Sequence, residues 1–400
     1  MENLSDLRRP FLFDSVLSDA ERSWFKQAMV RMIAGRTKDD DTRLRLYIEG
    51  NLMNTGYLYN NFLPHLPKGD EDLREWLRQT FGEVKFALFV NGCEKMDEAI
   101  PTAISRYMAP LLAKTGLPAN GIQVDLIMGN YGYTPFGIHK DNIGDSTFHF
   151  HLGPSPKYFY TWAPDEYLNK LGGRQNEQDV EPFLPFATKY TIEEGAIFYL
   201  PWTEYHVGYT PELSMAVTAT LQWGTKTTLI SNVLQQLSAD LLESTTGGHV
   251  RSEKTPETPR EFGRLDEELA HNPLWNDTSF LQALELSYER LLLKSGSNGG
   301  MQARPVDDKE ERPAAWFRDK HISIREPFPI FWREQRQRGS EVYARGHCLL
   351  PPKDAPAETL IRRLNDGGKH TYADLLGDAQ EKPAVELLNK LYALNAIVVG

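Results

Sequence analysis

Cysteine is almost missing from this chain: Cys93 and Cys348 are the only two in 400 residues. Two thiols build neither a disulfide framework nor a thiolate zinc site, and such sparing use fits a reducing compartment. Long apolar runs are missing as well. The opening MENLSDLRRPFLF has no apolar core and no small-residue cleavage signal, and no later stretch approaches a bilayer span, so the expectation is a cytoplasmic protein without a membrane partner. Basic excess is also lacking. With 44 Lys+Arg against 55 Asp+Glu the formal charge is −11, which disfavours a chain built to coat nucleic acid. What is present is a 40% hydrophobic share in a chain longer than one core usually organises, so two or three domains are expected.

Residues 15–34 set Val16, Leu17, Trp24, Phe25, Met29, Val30 and Met32 at mostly helical spacing behind Ser18 or Asp19 as a cap. The spacing predicts a second amphipathic helix over 71–81, a strand over Glu83–Val90, and further helix over 97–116 broken at Pro101 and Pro110. Between Gly121 and Gly224 the chain reads as eight short strands, a barrel with a site in it. Beyond it, Ser231–Leu242 and Phe280–Leu293 are helical, and the polar stretch 244–262 is loop-like. The segment 295–313, SGSNGGMQARPVDDKEERP, reads as a linker with too little apolar surface to order itself. From Ala314 a small separate domain is expected. There EVYARGHCLL is strand-like, ETLIRRLNDGG is a helix stopped by two glycines, HTYADLLG is a short helix, and the last stretch is a helix running into a strand. That combination suggests a winged helix.

The chemistry concentrates on few residues. His139 and Asp141 are two apart on a predicted strand, where alternate side chains share a face and can reach one ion. His206 ends GAIFYLPWTEYH, a glycine, strand, proline, histidine pattern that brings a third ligand back across a barrel. Two imidazoles and one carboxylate leave octahedral positions open, the arrangement non-haem Fe(II) uses, whereas a closed structural zinc site leaves no such room. The bland reading of HxD is a surface strand residue beside a hydrogen-bonded histidine; the surrounding strands favour the ion. In FHFH, His149 and His151 alternate toward one face as another possible ligand pair, but no glutamate follows at a suitable distance. One is assigned to lining the site, the other to a satisfied interior. Lys157, taken alone, reads as a solvated strand end.

At these residues, over about 85–224, the chain resembles the cupin-like, JmjC-related Fe(II)/2-oxoglutarate oxygenases. The resemblance implies an α+β fold: a double-stranded β-helix (cupin or jelly-roll) barrel with flanking helices over 1–228, a helical segment over 229–300, and a C-terminal winged-helix-like domain over 314–400. It implies Fe(II), 2-oxoglutarate and O2 as cofactors, with His139, Asp141 and His206 as the catalytic iron ligands. Lys157, in GPSPKYFYTW, becomes the anchor of the far carboxylate of 2-oxoglutarate, with His149 and the Thr147 hydroxyl beside it. A dianion in a narrow barrel needs such a cation and hydroxyl donors to replace its lost water. Tyr131, Tyr133, Thr134, Tyr160 and Thr218 are further hydroxyl candidates, and Gln222 and Trp223 wall residues. The chain departs from the family's pattern in Gly153-Pro-Ser-Pro-Lys157, where a glycine two residues before the lysine is usual, and in Ser146 and Thr147, near an asparagine's usual place.

Barrel, helices and winged helix also resemble bacterial ribosomal oxygenases, which implies a homodimer through the middle helices and hydroxylation of an amino-acid side chain in a protein or peptide. The connection 171–187, long for a link between strands, reads as a lid or substrate rim, against the bland reading of a surface loop. RRLNDGGKH offers a modest basic cluster among acids, so nucleic acid is not an expected partner. Two alternatives stay open: the same chemistry on a free amino acid or natural-product intermediate, and a non-catalytic cupin scaffold or regulator.

Overall fold

The computed structural model describes residues 7–36, 43–69, 71–242, 279–307, 309–335, 339–377 and 380–400; the loop expected over 244–262 lies outside them. The chain divides into two compact units, Met1–Thr225 and Lys226–Gly400. No helix among the described residues is long and apolar enough to cross a membrane.

In the first unit the strands are, in chain order, β1 (Phe11–Phe13), β2 (Leu44–Ile48), β3 (Asn51–Leu52), β4 (Phe86–Val90), β5 (Ile122–Gly129), β6 (Gly132–Tyr133), β7 (Asp145–Pro154), β8 (Lys157–Trp162), β9 (Thr188–Ile192), β10 (Ile197–Leu200), β11 (Tyr205–Thr210) and β12 (Ser214–Gln222). β5 to β12 are the eight runs expected between Gly121 and Gly224. They sort into an eight-stranded sheet, β1-β10-β7-β12-β5-β4-β2-β3, and a four-stranded one, β6-β11-β8-β9. All pairings are antiparallel, and β12 lies between β5 and β7 with Thr218 opposite both Asp125 and His149. No ladder among the described residues joins the two sheets, so they form two layers rather than one closed cylinder. β7 and β12 are almost wholly buried, as central strands covered on both faces should be.

Ser18 starts the helix Asp19–Ala34 with a capping box closed by Glu21, and the helix buries Phe25, Ala28, Met29, Val30, Met32 and Ile33. Trp24, counted above among its apolar positions, stays 37% exposed. The helix Ala99–Thr115 runs unbroken through both prolines, contrary to expectation. Pro101 sits in the first turn, where an N–H has no intrahelical partner to lose, and Pro110 is accommodated in the interior.

In the second unit the helices Lys226–Leu242 and Phe280–Gly296 pack on each other. Two three-stranded sheets follow, built from β13 (His321–Ile324), β14 (Phe331–Gln335), β15 (Gly339–Ala344), β16 (His347–Leu349), β17 (His370–Thr371) and β18 (Ile397–Val399) in the orders β17-β13-β18 and β14-β15-β16. Helices Ala357–Leu364 and Glu381–Ala393 bury Leu360, Ile361, Leu364, Leu387, Leu388 and Leu391 in a core with Phe317, Ile322 and Val342. The segment 295–313 is not a loose tether. Ser297, Asn298 and Met301 are buried, Gly346 N donates to Ser297 Oγ at 3.0 Å, and Arg345 Nε donates to Asn298 Oδ1 at 2.9 Å. Composition missed this because polar residues order a segment when each buried group finds a partner.

Candidate metal centre

His139 and His206 face each other across a backbone pair: His139 N donates to His206 O at 3.0 Å and His206 N donates to His139 O at 2.7 Å. That pair is an isolated bridge, and Asp141 lies beyond it outside any strand. Strand alternation is therefore not what aims the two ligands, as the spacing had suggested; β11 holds the segment at His139, and the chain then turns away carrying Asp141. His139 Nδ1 lies 2.9 Å from Gly137 O and His206 Nδ1 3.3 Å from Glu204 O. Each Nδ1–H donating to a carbonyl leaves the Nε2 lone pair free for a metal.

Asp141 Oδ1 lies 3.8 Å from His139 Nε2 and 4.0 Å from His206 Nε2, and the ligand atoms of all three residues fall within 4.8 Å of one another. Those two separations are too long for hydrogen bonds and shorter than two metal–ligand bonds of roughly 2.1 Å end to end. Among the described residues no N–H or O–H donor of the protein hydrogen-bonds the Asp141 carboxylate. Burial holds the His206 imidazole well below its usual pKa, with His139 and Lys157 adding to the effect, so the ring is neutral and able to ligate. Burial pushes the Asp141 carboxyl up, opposed by His139. An unsatisfied carboxylate facing two preset Nε2 atoms fits a divalent ion with coordination sites left over.

The triad opens on a cavity of about 180 Å³ lined from both sheets. Lys157, the first residue of β8, is among its walls and only 2% exposed, with Nζ 4.9 Å from the Phe159 ring centroid. Among the described residues no carboxylate pairs with it. Thr147 lines the cavity with its Oγ1 3.0 Å from Thr220 Oγ1. His149 lines it too; its Nδ1 has no hydrogen-bond partner, and burial, followed by Lys157 and His206, holds its pKa well down. His151 is fully buried elsewhere, with Nε2 3.0 Å from Ser155 O. Of the other hydroxyl candidates Thr134 and Thr218 reach the cavity, whereas Tyr131 and Tyr160 do not, and Tyr133 donates to Glu181 at 2.9 Å instead; the expected wall residues Gln222 and Trp223 do not line it either. A separate apolar cavity of about 150 Å³, lined by Phe11, Phe13, Met108 and Tyr199 among others, holds no candidate ligand.

The connection 171–187 buttresses the ligand segment. Lys140 N donates to Gln175 Oε1 at 3.1 Å, Gln175 Nε2 donates to Lys140 O at 2.9 Å, and Ile138 and Glu177 exchange backbone hydrogen bonds of 2.7 and 3.1 Å. Gly137, at φ +68°, lies so close that a Cβ there would stand 2.2 Å from Glu177 O. Sequence reasoning missed Arg45, Asn91, Asp125 and Phe136, which also line the cavity. A signal existed in two of them: Arg45 interrupts LRLYI, and Asp125 interrupts IQVDLIMG, each the one charge inside a largely apolar strand.

No family model matches the chain, and no curated protein matches it. Among solved structures, Escherichia coli ycfD matches over 98% of this chain and 95% of its own, with a TM-score of 0.50 at 17% identity. A second structure of that protein, described as a ribosomal oxygenase in complex with cobalt and 2-oxoglutarate, matches with the same coverage, a TM-score of 0.48 and 14% identity. SnoK, an alpha-ketoglutarate-dependent carbocyclase from nogalamycin biosynthesis, matches over 63% of this chain and 95% of its own, at 12% identity and a TM-score of 0.35. The likeness is one of fold: this chain shares its mixed architecture of helices and antiparallel sheets with ycfD.

Proposed function

We propose that this protein is an Fe(II)- and 2-oxoglutarate-dependent oxygenase that hydroxylates an amino-acid side chain in a protein or peptide. The observation that carries the reading is the pairing, in one cavity, of an open two-histidine, one-carboxylate ligand set with a buried lysine that has no carboxylate of its own. A buried, unpaired ammonium costs several kcal/mol unless an anion compensates it, and 2-oxoglutarate supplies one.

Bound iron, with 2-oxoglutarate and dioxygen, supplies the oxidising power for hydroxylating a C–H bond, 2-oxoglutarate leaving as succinate and CO2. The chain's own work is positioning. Nε2 of His139, Nε2 of His206 and the Asp141 carboxylate hold the ion, and the Gly137 and Glu204 carbonyls fix both rings by their Nδ1–H groups. Lys157 Nζ takes the far carboxylate of the cosubstrate, with the Thr147 hydroxyl and His149 Nδ1 available as further partners. Phe159 and Leu200 keep that end of the cavity dry. No residue is required as a general acid or base.

The protein or peptide substrate is supported by a whole further unit beyond the oxygenase region and by the fold shared with ycfD, itself described as a ribosomal oxygenase. The barrel-like domain over 1–228, the dimerising helical segment over 229–300, the winged-helix-like domain over 314–400 and a cytoplasmic location belong to the same proposal. Succinate release from 2-oxoglutarate by the Fe(II)-loaded protein tests it: wild type turns over, His139→Ala and Asp141→Ala do not. Equal turnover in all three, or none in wild type, overturns the reading and leaves the scaffold alternative.

A further inference from the structure

We infer that Arg45 is the substrate-recognising cation of this cavity and that the substrate presents a carboxylate to it. The inference rests on the oxygenase reading for what the cavity does, and on the surroundings of Arg45 for what it binds. The cavity holds two cations, and they approach the triad by different walls. Lys157 lies on Phe159, whose ring is 6.2 Å from that of His206 and 4.8 Å from that of His149. Arg45 lies on Phe136, whose ring is 5.5 Å from that of His139. With the cosubstrate held at Lys157, Arg45 is left over on the His139 side.

The guanidinium is fixed before anything binds. Its Cζ is 5.2 Å from the Phe89 ring centroid and 5.4 Å from that of Phe136, so two aromatic walls restrict it. Nη2 donates to Asn91 Oδ1 at 3.2 Å, and the Asn91 side chain in turn hydrogen-bonds the Asp125 carboxylate. Asp125 already accepts from Gly92 N and Gln123 Nε2, each at 2.9 Å, and anchors Asn91; it acts on the guanidinium through its charge, with no direct hydrogen bond between the two. Asn91 and Asp125 are thus positioning residues. Of the five N–H donors of Arg45 only the bond to Asn91 is taken among the described residues, and neither Nε nor Nη1, which have no bond of their own, is sealed from accessible space. A held planar fork with free donors matches a carboxylate in bidentate fashion; a neutral amide offers one acceptor, and an ammonium is repelled.

The carboxylate can belong to an acidic side chain of a peptide or to the α-carboxylate of a free amino acid, and small probes separate the two. Calorimetric titration of N-acetylglutamate amide, N-acetylglutamine amide and free glutamine is run on the full chain, both metal-free and loaded anaerobically with Mn(II) and 2-oxoglutarate. N-acetylglutamate amide binding alone assigns a peptide side chain; free glutamine binding assigns an α-carboxylate. N-acetylglutamine amide binds in neither case. Arg45→Met weakens the bound probe about tenfold or more, Arg45→Lys restores only part of it, and Asn91→Ala costs a smaller factor, since a charge-assisted bidentate pair is lost, blunted or loosened. In Arg45→Met the affinity for 2-oxoglutarate is kept, whereas Lys157→Met loses it and keeps the probe. The inference is overturned if no carboxylate probe binds wild type, if N-acetylglutamine amide binds as tightly as its acid, if folded Arg45→Met binds the probe as wild type does, or if it loses 2-oxoglutarate as Lys157→Met does. Failure of wild type to bind Mn(II) and 2-oxoglutarate sinks the oxygenase reading instead, and the Arg45 arm is then still read on the metal-free protein.

Discussion

At the scale of single residues, the centre depends on side chains that leave valences unused. Asp141 has no cation within ion-pair reach but the two histidine rings, and Lys157 has no counter-ion, among the described residues. Replacing any of His139, Asp141 or His206 by alanine is expected to weaken Mn(II) binding at least about 100-fold, since changes merely to the groups around a ligand already cost about 10–100-fold. Competition with a coloured chelator reads this directly. Lys157→Met is expected to raise the Kd for 2-oxoglutarate by about 10- to 100-fold, the value of one charge-assisted hydrogen bond, with metal affinity little changed. His139, Asp141 and His206 stand out in the sequence because HxD and a distant histidine form a pattern with a chemical meaning. Arg45, Asn91 and Asp125 carry no motif; register alone brings their strands and turn to the cavity, and one sequence does not print register.

At the scale of elements, backbone pairing outside the motif sets the ligand geometry. The expectation placed HxD on a strand, whereas a one-residue bridge to His206 and the buttress from 171–187 hold the segment. Gln175→Ala removes both of its bonds to the Lys140 backbone and is expected to lower Mn(II) affinity about tenfold without unfolding the protein, as loss of a supporting partner does at other metal sites. Gly137→Ala should be more severe, because positive φ and a clash with Glu177 O act together; thermal unfolding and metal titration on the same sample report both effects. Capping was read well from Ser18, whose replacement by alanine should cost about 1 kcal/mol in denaturant unfolding. Proline was read poorly: Pro101 sits in a first turn and Pro110 is tolerated within its helix.

At the scale of the whole chain, composition argues for two or three domains, and contacts divide the protein into two units at 225/226. It did not foretell how polar the second unit's interior is. Arg290 lies between Asp240, at 2.8 Å, and Glu341, all three nearly inaccessible, and Tyr343 donates to Glu341 at 2.5 Å. Arg290→Met removes the guanidinium that Asp240 and Glu341 share and is expected to destabilise this unit by about 3–5 kcal/mol, seen as lost hydrogen-exchange protection in Phe280–Gly296 and β15. Buried charge networks have no periodicity, which is why the pattern of apolar residues outlined the unit and missed this part of its interior.

The central claim is that one ion and one dianion share the cavity between the sheets. Anaerobic crystals grown with manganese and 2-oxoglutarate test it most directly. The account predicts a single ion bound by His139 Nε2, His206 Nε2 and the Asp141 carboxylate, with the far carboxylate of 2-oxoglutarate on Lys157 Nζ. An ion bound elsewhere, or 2-oxoglutarate turned with that carboxylate on Arg45, contradicts it.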